Sequence, residues 1–347
     1  MERSRRELIG GAAVTVGAAL VGGSTAAAAR KPVTSDAIRE LFAPLPGTNS
    51  VRIVAPATER TSALDVSMDP GQQMFIGSAF KAFVAAEALR QDDSPNVVDT
   101  IAQRQLALDE SVWSPDSATF NPPNLSGQVS ERTALEAMVL HSDNTGADMV
   151  LKQVGPDNVR TFIASAGLTQ TLIPDSTRSF IGYLFGVPDP DAFTWADLNA
   201  IQNQPYVNPA LNQTNTMASS ADDLVSFYSR ALPGSDFFQN EATSQEFREL
   251  LSIGDIIWIL PFPLAVSSFA KGGEIDSPGF HALSAAGGIF FDDVWAFFAF
   301  IINWPSPDQS DPATQDAWAQ ACAQALQLVK DALQAPDSGG GRLPATL

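Results

Sequence analysis

The chain has 347 residues, 45% of them hydrophobic and 17% charged, so it is long enough and apolar enough to bury a sizeable core. A formal net charge of −19 argues against a nucleic-acid partner, because phosphate contacts need clustered Lys and Arg. The single cysteine, Cys322, excludes an internal disulfide. With only His141 and His281 in addition, we expect no metal site and no cofactor.

Residues 1–29 predict an export signal. Arg5 and Arg6 precede an apolar stretch rich in Gly and Ala, which ends in the small residues 27–29. The arginine pair resembles a twin-arginine signal, which exports proteins that have already folded. An uncleaved membrane anchor is the alternative, but a Gly/Ala-rich stretch is weakly hydrophobic and favours cleavage near Ala29. We therefore expect an exported, periplasmic or extracellular protein with no stable membrane span after signal removal.

The elements that follow can be predicted in chain order. A short helix in SDAIRELFAPL, capped by Ser35 or Asp36, precedes two strands, NSVRIVAP and ALDVSMDP, that form a hairpin. Residues from about 98 to 250 are mostly helical. Three strands, SSFAKGGEI, GFHALSAAGGIFF and DVWAFFAFIINW, then form a meander. The helix ATQDAWAQACAQALQLVKDALQA closes the domain, and residues 336–347 predict a flexible tail.

This order of elements predicts an α+β fold, an α/β sandwich within one domain spanning residues 30–335. Its antiparallel sheet is made from both chain ends, and an all-helical region is inserted between them. A cleft between the sheet and the helical region is the expected place for a functional site.

Three short motifs carry the chemistry. Ser78-Ala-Phe-Lys81 opens a helix, Ser142-Asp-Asn144 lies in the helical region, and Lys271-Gly-Gly273 starts the first late strand. An i,i+3 spacing places Ser78 and Lys81 on one helical face. A serine hydroxyl is a poor nucleophile until a neighbouring group takes its proton. A lysine that is buried near a second cation, Lys271, has a lowered pKa and can take that proton.

In this order and context the three motifs resemble those of the class A β-lactamases and penicillin-binding proteins, over residues 35–335. The resemblance implies an acyl-enzyme on Ser78 with Lys81 as its base. It also implies that Ser142 relays a proton between Lys271 and the leaving atom. The implied substrate-binding residues are Asn144, Trp113, Asn208, Gly273 and Glu274. Asn144 also holds Lys81, Trp113 lies at the mouth of the site, and the backbone N–H groups of Ser78 and Glu274 form the oxyanion hole.

The chain departs from the family pattern at three places. Gly272 supplies no hydroxyl between the Lys and Gly of the third motif, and PGFHALSAAGG carries no Arg to bind a substrate carboxylate. The deacylating glutamate is also missing. In one register Asn208 of Asn208-Pro-Ala-Leu-Asn212 replaces it, and in another Tyr183 does. Asp189 and Asp191 reach the site only if their insertion folds back over it.

These observations predict an exported serine hydrolase that acts on a small-molecule or peptide substrate, an amide, an ester or a β-lactam. Acylation of Ser78 is expected, whereas rapid hydrolysis of the acyl-enzyme is not. A true β-lactamase is one alternative, and a non-catalytic binding or sensor protein on the same fold is another. The sequence sets no oligomeric state.

Several residues also have purely structural interpretations. The alternative for Ser78 is a helix cap, and the alternative for Trp113 is a core residue. For His281 we favour packing or hydrogen bonding over catalysis, and for Cys322 a buried, inert thiol. The apolar segment 254–270 is interpreted as a helix end, a loop and a buried strand, with a hydrophobic lip or a membrane contact as the alternative.

Overall fold

A computed structural model of the protein describes residues 33–59, 61–187, 194–201, 204–234 and 236–334. The predicted export signal, the tail, and Asp189 and Asp191 lie outside the described residues. Among the described residues, no helix is long and apolar enough to cross a membrane.

The described residues form the following elements. The strands are β1 Thr48–Ala55, β2 Leu64–Met68, β3 Met74–Phe75, β4 Gln105–Leu108, β5 Gly127–Ser130, β6 Ala218–Ser219, β7 Ser267–Ser277, β8 Phe280–Phe291 and β9 Val294–Trp304. The α-helices are α1 Ser35–Phe42, α2 Lys81–Gln91, α3 Val97–Gln103, α4 Glu131–Leu140, α5 Asn144–Val154, α6 Pro156–Ser165, α7 Thr177–Leu184, α8 Trp195–Ile201, α9 Ala221–Ala231, α10 Glu241–Ser252, α11 Ile256–Ile259 and α12 Pro312–Leu333. A 3₁₀ turn, Gly77–Phe80, precedes α2.

The central sheet has five antiparallel strands in the order β2-β1-β9-β8-β7. The predicted hairpin (β1 and β2) and the predicted meander (β7 to β9) therefore join through the β1–β9 pair, in which Val51 lies opposite Phe300. This confirms the predicted fold class, an antiparallel sheet built from both chain ends. The inserted region is mostly helical, as predicted, but it also contains the strand pair β4 with β5, and its strand β6 pairs with β3, which lies before it in the chain.

The first helix differs from its prediction at the N-cap. Thr34, in extended conformation, caps α1 by accepting a hydrogen bond from Ala37 N at 3.1 Å. The predicted cap, Ser35, lies inside the helix, and its hydroxyl instead accepts a hydrogen bond from Ser67 N on β2 at 3.0 Å. The serine therefore ties the helix to the sheet edge.

The sheet separates two apolar cores. Along β9, Phe297, Ala299 and Ile301 face the helical region, while Phe298, Phe300 and Ile302 face α1 and α12. This alternation follows from the two-residue period of a strand, and buried residues on both faces explain why β9 reads as a continuous apolar run. Cys322 is fully buried on α12, and burial raises the pKa of its thiol, so it stays protonated.

The structural interpretation of His281 agrees with the contacts observed. The imidazole is fully buried and stacks on Trp304, with ring centroids 5.2 Å apart. Its Nδ1 lies 2.8 Å from Asp276 Oδ1, and its Nε2 lies 3.1 Å from the carbonyl oxygen of Asp308. The ring therefore joins β8 to the segment that follows β9.

The apolar segment before β7 is less buried than its structural interpretation implies. It contains the one-turn helix α11 and a loop, and then enters β7. Trp258, Ile259 and Leu264 are 77%, 54% and 86% exposed, respectively. Pro261 and Pro263 follow α11 directly and prevent it from continuing.

Trp318→Ala on α12 tests the core between this helix and the sheet. Trp318 is 1% exposed, so the change leaves a large cavity and is expected to lower the free energy of unfolding by about 3–5 kcal/mol. Urea denaturation measures the loss. Leu328→Ala on the same helix, at a 38% exposed position, is the control and is expected to cost much less. Equal losses in the two variants would contradict this placement of the core.

Candidate active site

Ser78 lies in the 3₁₀ turn that leads into α2, one turn ahead of Lys81. Its neighbours Gly77, Ala79 and Phe80 are buried, whereas Ser78 itself is half-buried. Phe83 packs against Phe227 with ring centroids 4.6 Å apart, which anchors the start of α2 in the core. The turn therefore holds the serine backbone in place and leaves its side chain at the edge of the core.

Lys81 is the first residue of α2 and is completely buried. Its Nζ donates hydrogen bonds to the carbonyl oxygen of Ser142 and to Oδ1 of Asn144, both at 2.6 Å. Asn144 in turn donates from Nδ2 to the carbonyl oxygen of Pro115 at 2.9 Å, which fixes the orientation of its amide. The first two sequence motifs are thus joined by the buried amine.

The Ser142-Asp-Asn144 motif forms the tight connection between α4 and α5. Ser142 has φ +52°, in the left-handed region that non-glycine residues adopt only when the surroundings require it. Asp143 caps α5 by accepting from Gly146 N at 2.9 Å, and it also accepts from Thr119 N at 2.8 Å. These bonds hold the carbonyl oxygen of Ser142 against Lys81.

Lys271 on β7 is also completely buried. Its Nζ donates to Ser142 Oγ at 3.1 Å, to Asp255 Oδ2 at 2.7 Å and to the carbonyl oxygen of Gly272 at 2.9 Å. Ser142 therefore links the two lysines, through its carbonyl oxygen to Lys81 and through its hydroxyl to Lys271. Asp255, which precedes α11, was not found by sequence reasoning. Its position just before a short apolar run, where helix caps are common, is the sequence signal that could have identified it.

The pKa of Lys81 is lowered to about 7. Burial is the largest cause, since it disfavours the charged amine, and the positive charge of Lys271 adds to it. Three carboxylates, Asp255, Asp143 and Asp148, act in the opposite direction. A substantial fraction of Lys81 is therefore neutral near pH 7, the form that accepts a proton.

Asp148 is a second residue that sequence reasoning missed. It lies one turn after Asn144 on α5, on the same helical face, and is 4% exposed. Its carboxylate accepts from the backbone N–H groups of Thr177 at 2.6 Å and Arg178 at 3.0 Å, which open α7, and from the hydroxyl of Thr177 at 2.8 Å. Burial raises the pKa of Asp148 to about 6, although these hydrogen bonds favour its charged form. Asp148 thus attaches α7 to the helix that carries Asn144.

Strand β7 passes directly against the turn that carries Ser78. A Cβ atom at Gly273 would lie 2.1 Å from the carbonyl oxygen of Ile76 and 2.4 Å from Ser78 N, so only glycine fits there. Gly77, with φ +52°, is constrained in the same way by Glu274 N, 2.8 Å from a Cβ built on it. The backbones of the Ser78 turn and of Glu274 are therefore neighbours, as an oxyanion hole requires.

Two predicted substrate-binding residues have their observed contacts elsewhere. Asn208 donates from Nδ2 to the carbonyl oxygen of Tyr183 at 2.8 Å, and its own N–H donates to Leu184 O at 3.1 Å, so it is attached to the end of α7. Trp113 packs edge-to-face against Trp195, with ring centroids 6.2 Å apart, and lies partly buried against the core. The structure brings together Ser78, Lys81, Ser142, Asn144, Lys271, Gly273 and Glu274.

Solved structures with this fold are class A β-lactamases and related proteins. A class A β-lactamase from Bacteroides cellulosilyticus matches with a TM-score of 0.64 at 17% identity, covering 86% of this chain and 96% of its own. A class A β-lactamase from Mycobacterium abscessus has a TM-score of 0.61 at 16% identity, covering 87% and 99%. PBP-A has a TM-score of 0.62 at 15% identity, covering 87% and 100%. At these identities the likeness defines the fold.

The family follows from the sequence itself. Residues 33–253, well over half of the chain, match the model of the beta-lactamase enzyme family, and the chain belongs to this family of serine hydrolases. A search of curated proteins gave no match.

Gly273→Ala tests the contact between β7 and the Ser78 turn. The added methyl group has no space beside Ile76 O and Ser78 N, so β7 must shift. We expect the rate of covalent labelling of Ser78 by a fluorophosphonate to fall about 100-fold or more, the scale for loss of one oxyanion donor. Gly71→Ala is the matched control, because its Cβ would meet only Asp222 Oδ2, at 3.7 Å. Unchanged labelling of the Gly273 variant would contradict the proximity argued above.

Proposed function

We propose that the protein is an exported serine hydrolase that forms an acyl-enzyme on Ser78 with Lys81 as the general base. The observation that carries this proposal is the fully buried Lys81, whose pKa is lowered to about 7 one helical turn from a serine. A binding protein that had lost catalysis would have no need to bury two lysines. Export rests on residues 1–29, as argued from the sequence.

The hydrogen bonds of Lys81 support its role as base. A neutral amine has two N–H groups and one lone pair. The carbonyl oxygen of Ser142 and Oδ1 of Asn144 accept the two N–H groups at 2.6 Å each. A longer contact of 3.5 Å joins Nζ to Ser142 Oγ. On this proposal the lone pair takes the proton of Ser78, which lies three residues earlier on the same face.

Acylation follows from this arrangement. Ser78 Oγ attacks the substrate carbonyl carbon while its proton passes to Lys81. The N–H groups of Ser78 and Glu274 stabilise the oxyanion that forms. The bond to the leaving nitrogen or oxygen then breaks, and the hydroxyl of Ser142 gives its proton to that atom. The Lys81 ammonium, 3.5 Å from Ser142 Oγ, returns a proton to Ser142, while Lys271 holds the same oxygen at 3.1 Å.

Release of the acyl group is expected to be slow. The three carboxylates that influence Lys81 are each engaged: Asp143 with N–H groups at the start of α5, Asp148 with the start of α7, and Asp255 with Lys271. Because their oxygens are engaged by these donors, we expect none of the three carboxylates to take a proton from the attacking water. Substrates of this site are small acyl compounds, an amide, an ester or a β-lactam.

True β-lactamase activity is the second candidate. It is favoured by the family. In addition, a structural neighbour, a leucine-to-glutamate mutant of PBP-A, was solved as an acyl-enzyme complex with penicillin G, so a protein with this fold is acylated by a β-lactam. Sustained nitrocefin turnover would establish this activity, whereas a single burst with a negligible steady state would reject it.

Covalent labelling tests the acyl-enzyme mechanism. The folded protein, without residues 1–29, is incubated with a fluorophosphonate, and the modified peptide is identified by mass spectrometry. We expect one adduct, on Ser78, and none in Ser78→Ala. A folded wild-type protein that gives no adduct on Ser78 would refute the mechanism.

The labelling rate is expected to depend on pH through Lys81. Because the neutral amine is the base and its pKa is about 7, the rate should rise as pH increases through about 7 and then level off. Lys81→Arg keeps a positive charge at every accessible pH. It should therefore label about 10²–10⁴-fold more slowly, the usual contribution of a general base. A wild-type rate that is flat or falls from pH 5 to pH 9 contradicts the assignment.

Slow release predicts burst kinetics with an activated ester. Mixing the protein with p-nitrophenyl butyrate should liberate p-nitrophenol in a burst of about one equivalent, followed by a much slower steady state, because the acyl-enzyme accumulates. Ser78→Ala is the control and should show no burst. A linear time course at high turnover would instead show that the acyl-enzyme is hydrolysed rapidly.

A further inference from the structure

The ammonium group of Lys271 has no N–H left for a substrate. A lysine ammonium has three donors, and here they meet Ser142 Oγ, Asp255 Oδ2 and the carbonyl oxygen of Gly272 at 2.7–3.1 Å. The side chain is also completely buried. Lys271 is therefore occupied by the protein itself, and its positive charge faces a carboxylate of the same chain.

Asp255 is fixed in this position by further contacts. Its Oδ1 accepts hydrogen bonds from Ile256 N at 2.8 Å and from Gly272 N at 3.4 Å, while Oδ2 forms the ion pair with Lys271 at 2.7 Å. Its side chain is 23% exposed. To bind a second carboxylate, Lys271 would have to leave Asp255 or share its charge between two anions held close together.

The described residues next to Lys271 on β7, and those opposite them on β8, carry no positive charge that could bind a substrate carboxylate. Gly272 has no hydroxyl, and a Cβ there would lie 3.0 Å from the side chain of Ile256, so a larger residue would require Ile256 on α11 to shift. Opposite Gly272 and Gly273 on β8 stand Ala285 and Ser284. The next residue on β7, Glu274, is exposed and adds a negative charge.

From this geometry we infer that the substrate is uncharged where it faces β7, a neutral ester or amide, and that Asp255 sets this specificity. The inference rests on the proposed acylation of Ser78 and names the substrate class of that site. An anionic substrate would approach the carboxylate of Asp255, which already holds the ammonium of Lys271, whereas a neutral substrate avoids this repulsion.

A matched pair of substrates tests the inference. Benzylpenicillin and its methyl ester differ in the carboxylate, and acylation of Ser78 by each is followed by mass spectrometry under single-turnover conditions. We expect the ester to react about tenfold faster or more, a difference of about 1.4 kcal/mol in the barrier. Equal rates, or a faster reaction of the free acid, overturn the inference.

Asp255→Asn tests the residue itself. The change keeps the shape of the side chain and its acceptor for Ile256 N but removes the negative charge from Lys271. We expect the ester-to-acid rate ratio to fall by about tenfold, again about 1.4 kcal/mol. Because the ratio compares two substrates in the same variant, any effect of the substitution on Lys81 cancels. A thermal melt shows whether the variant is folded. Asp157→Asn, a 94% exposed position on α6, is the matched control and should leave the ratio unchanged.

The outcomes separate this inference from the proposed function. A ratio that Asp255→Asn leaves unchanged in a folded variant overturns the role of Asp255. If that variant does not fold, the wild-type ratio alone decides the inference. Fluorophosphonate labelling of Ser78 without a reaction of either penicillin form refutes the inference and leaves the proposed function standing. No labelling by any reagent refutes both.

Discussion

The structure of the site depends on one serine between two buried lysines. Ser142 accepts from Lys81 with its carbonyl oxygen and from Lys271 with its hydroxyl. Two ammonium groups so close together repel each other, and burial makes each charge more costly. The protein meets this cost in two ways: the pKa of Lys81 falls to about 7, and Asp255 balances Lys271. The left-handed backbone at Ser142 and the cap at Asp143 serve to hold this bridge.

The fold supplies the rigidity that the bridge needs. Lys81 begins a helix whose first turns are buried, and Lys271 lies on a strand paired over its full length with β8. The two glycines at the crossing, Gly77 and Gly273, bring the Ser78 turn and β7 closer than side chains would permit. The α7 segment is held to the same assembly from the other side by Asp148. Each element that contributes a polar group to the site is therefore packed against the core between the sheet and the helical region.

Sequence reasoning predicted much of this and failed where long-range contacts decide. The sheet could be predicted because the strands have strong apolar patterns, and the motif residues because their types and order are distinctive. The cap Thr34 was missed because three neighbouring polar residues offer similar local chemistry. Asp148 and Asp255 look like ordinary acids in the sequence, since their importance comes from partners far along the chain. The contacts of Asn208 with Tyr183 on α7 and of Trp113 with Trp195 on α8 also depend on residues far along the chain.

Because the sheet is built from both chain ends, the site can be completed only late in the synthesis and folding of the chain. Ser78 and Ser142 come from the first half of the chain. Lys271, which donates to the hydroxyl of Ser142, lies 129 residues after Ser142. Such non-local contacts form late, because loop closure must precede them. A nascent chain lacking β7 would carry Ser78 and Lys81 without Lys271. On the proposed mechanism, Ser78 would therefore become reactive only after the last strands have joined the sheet.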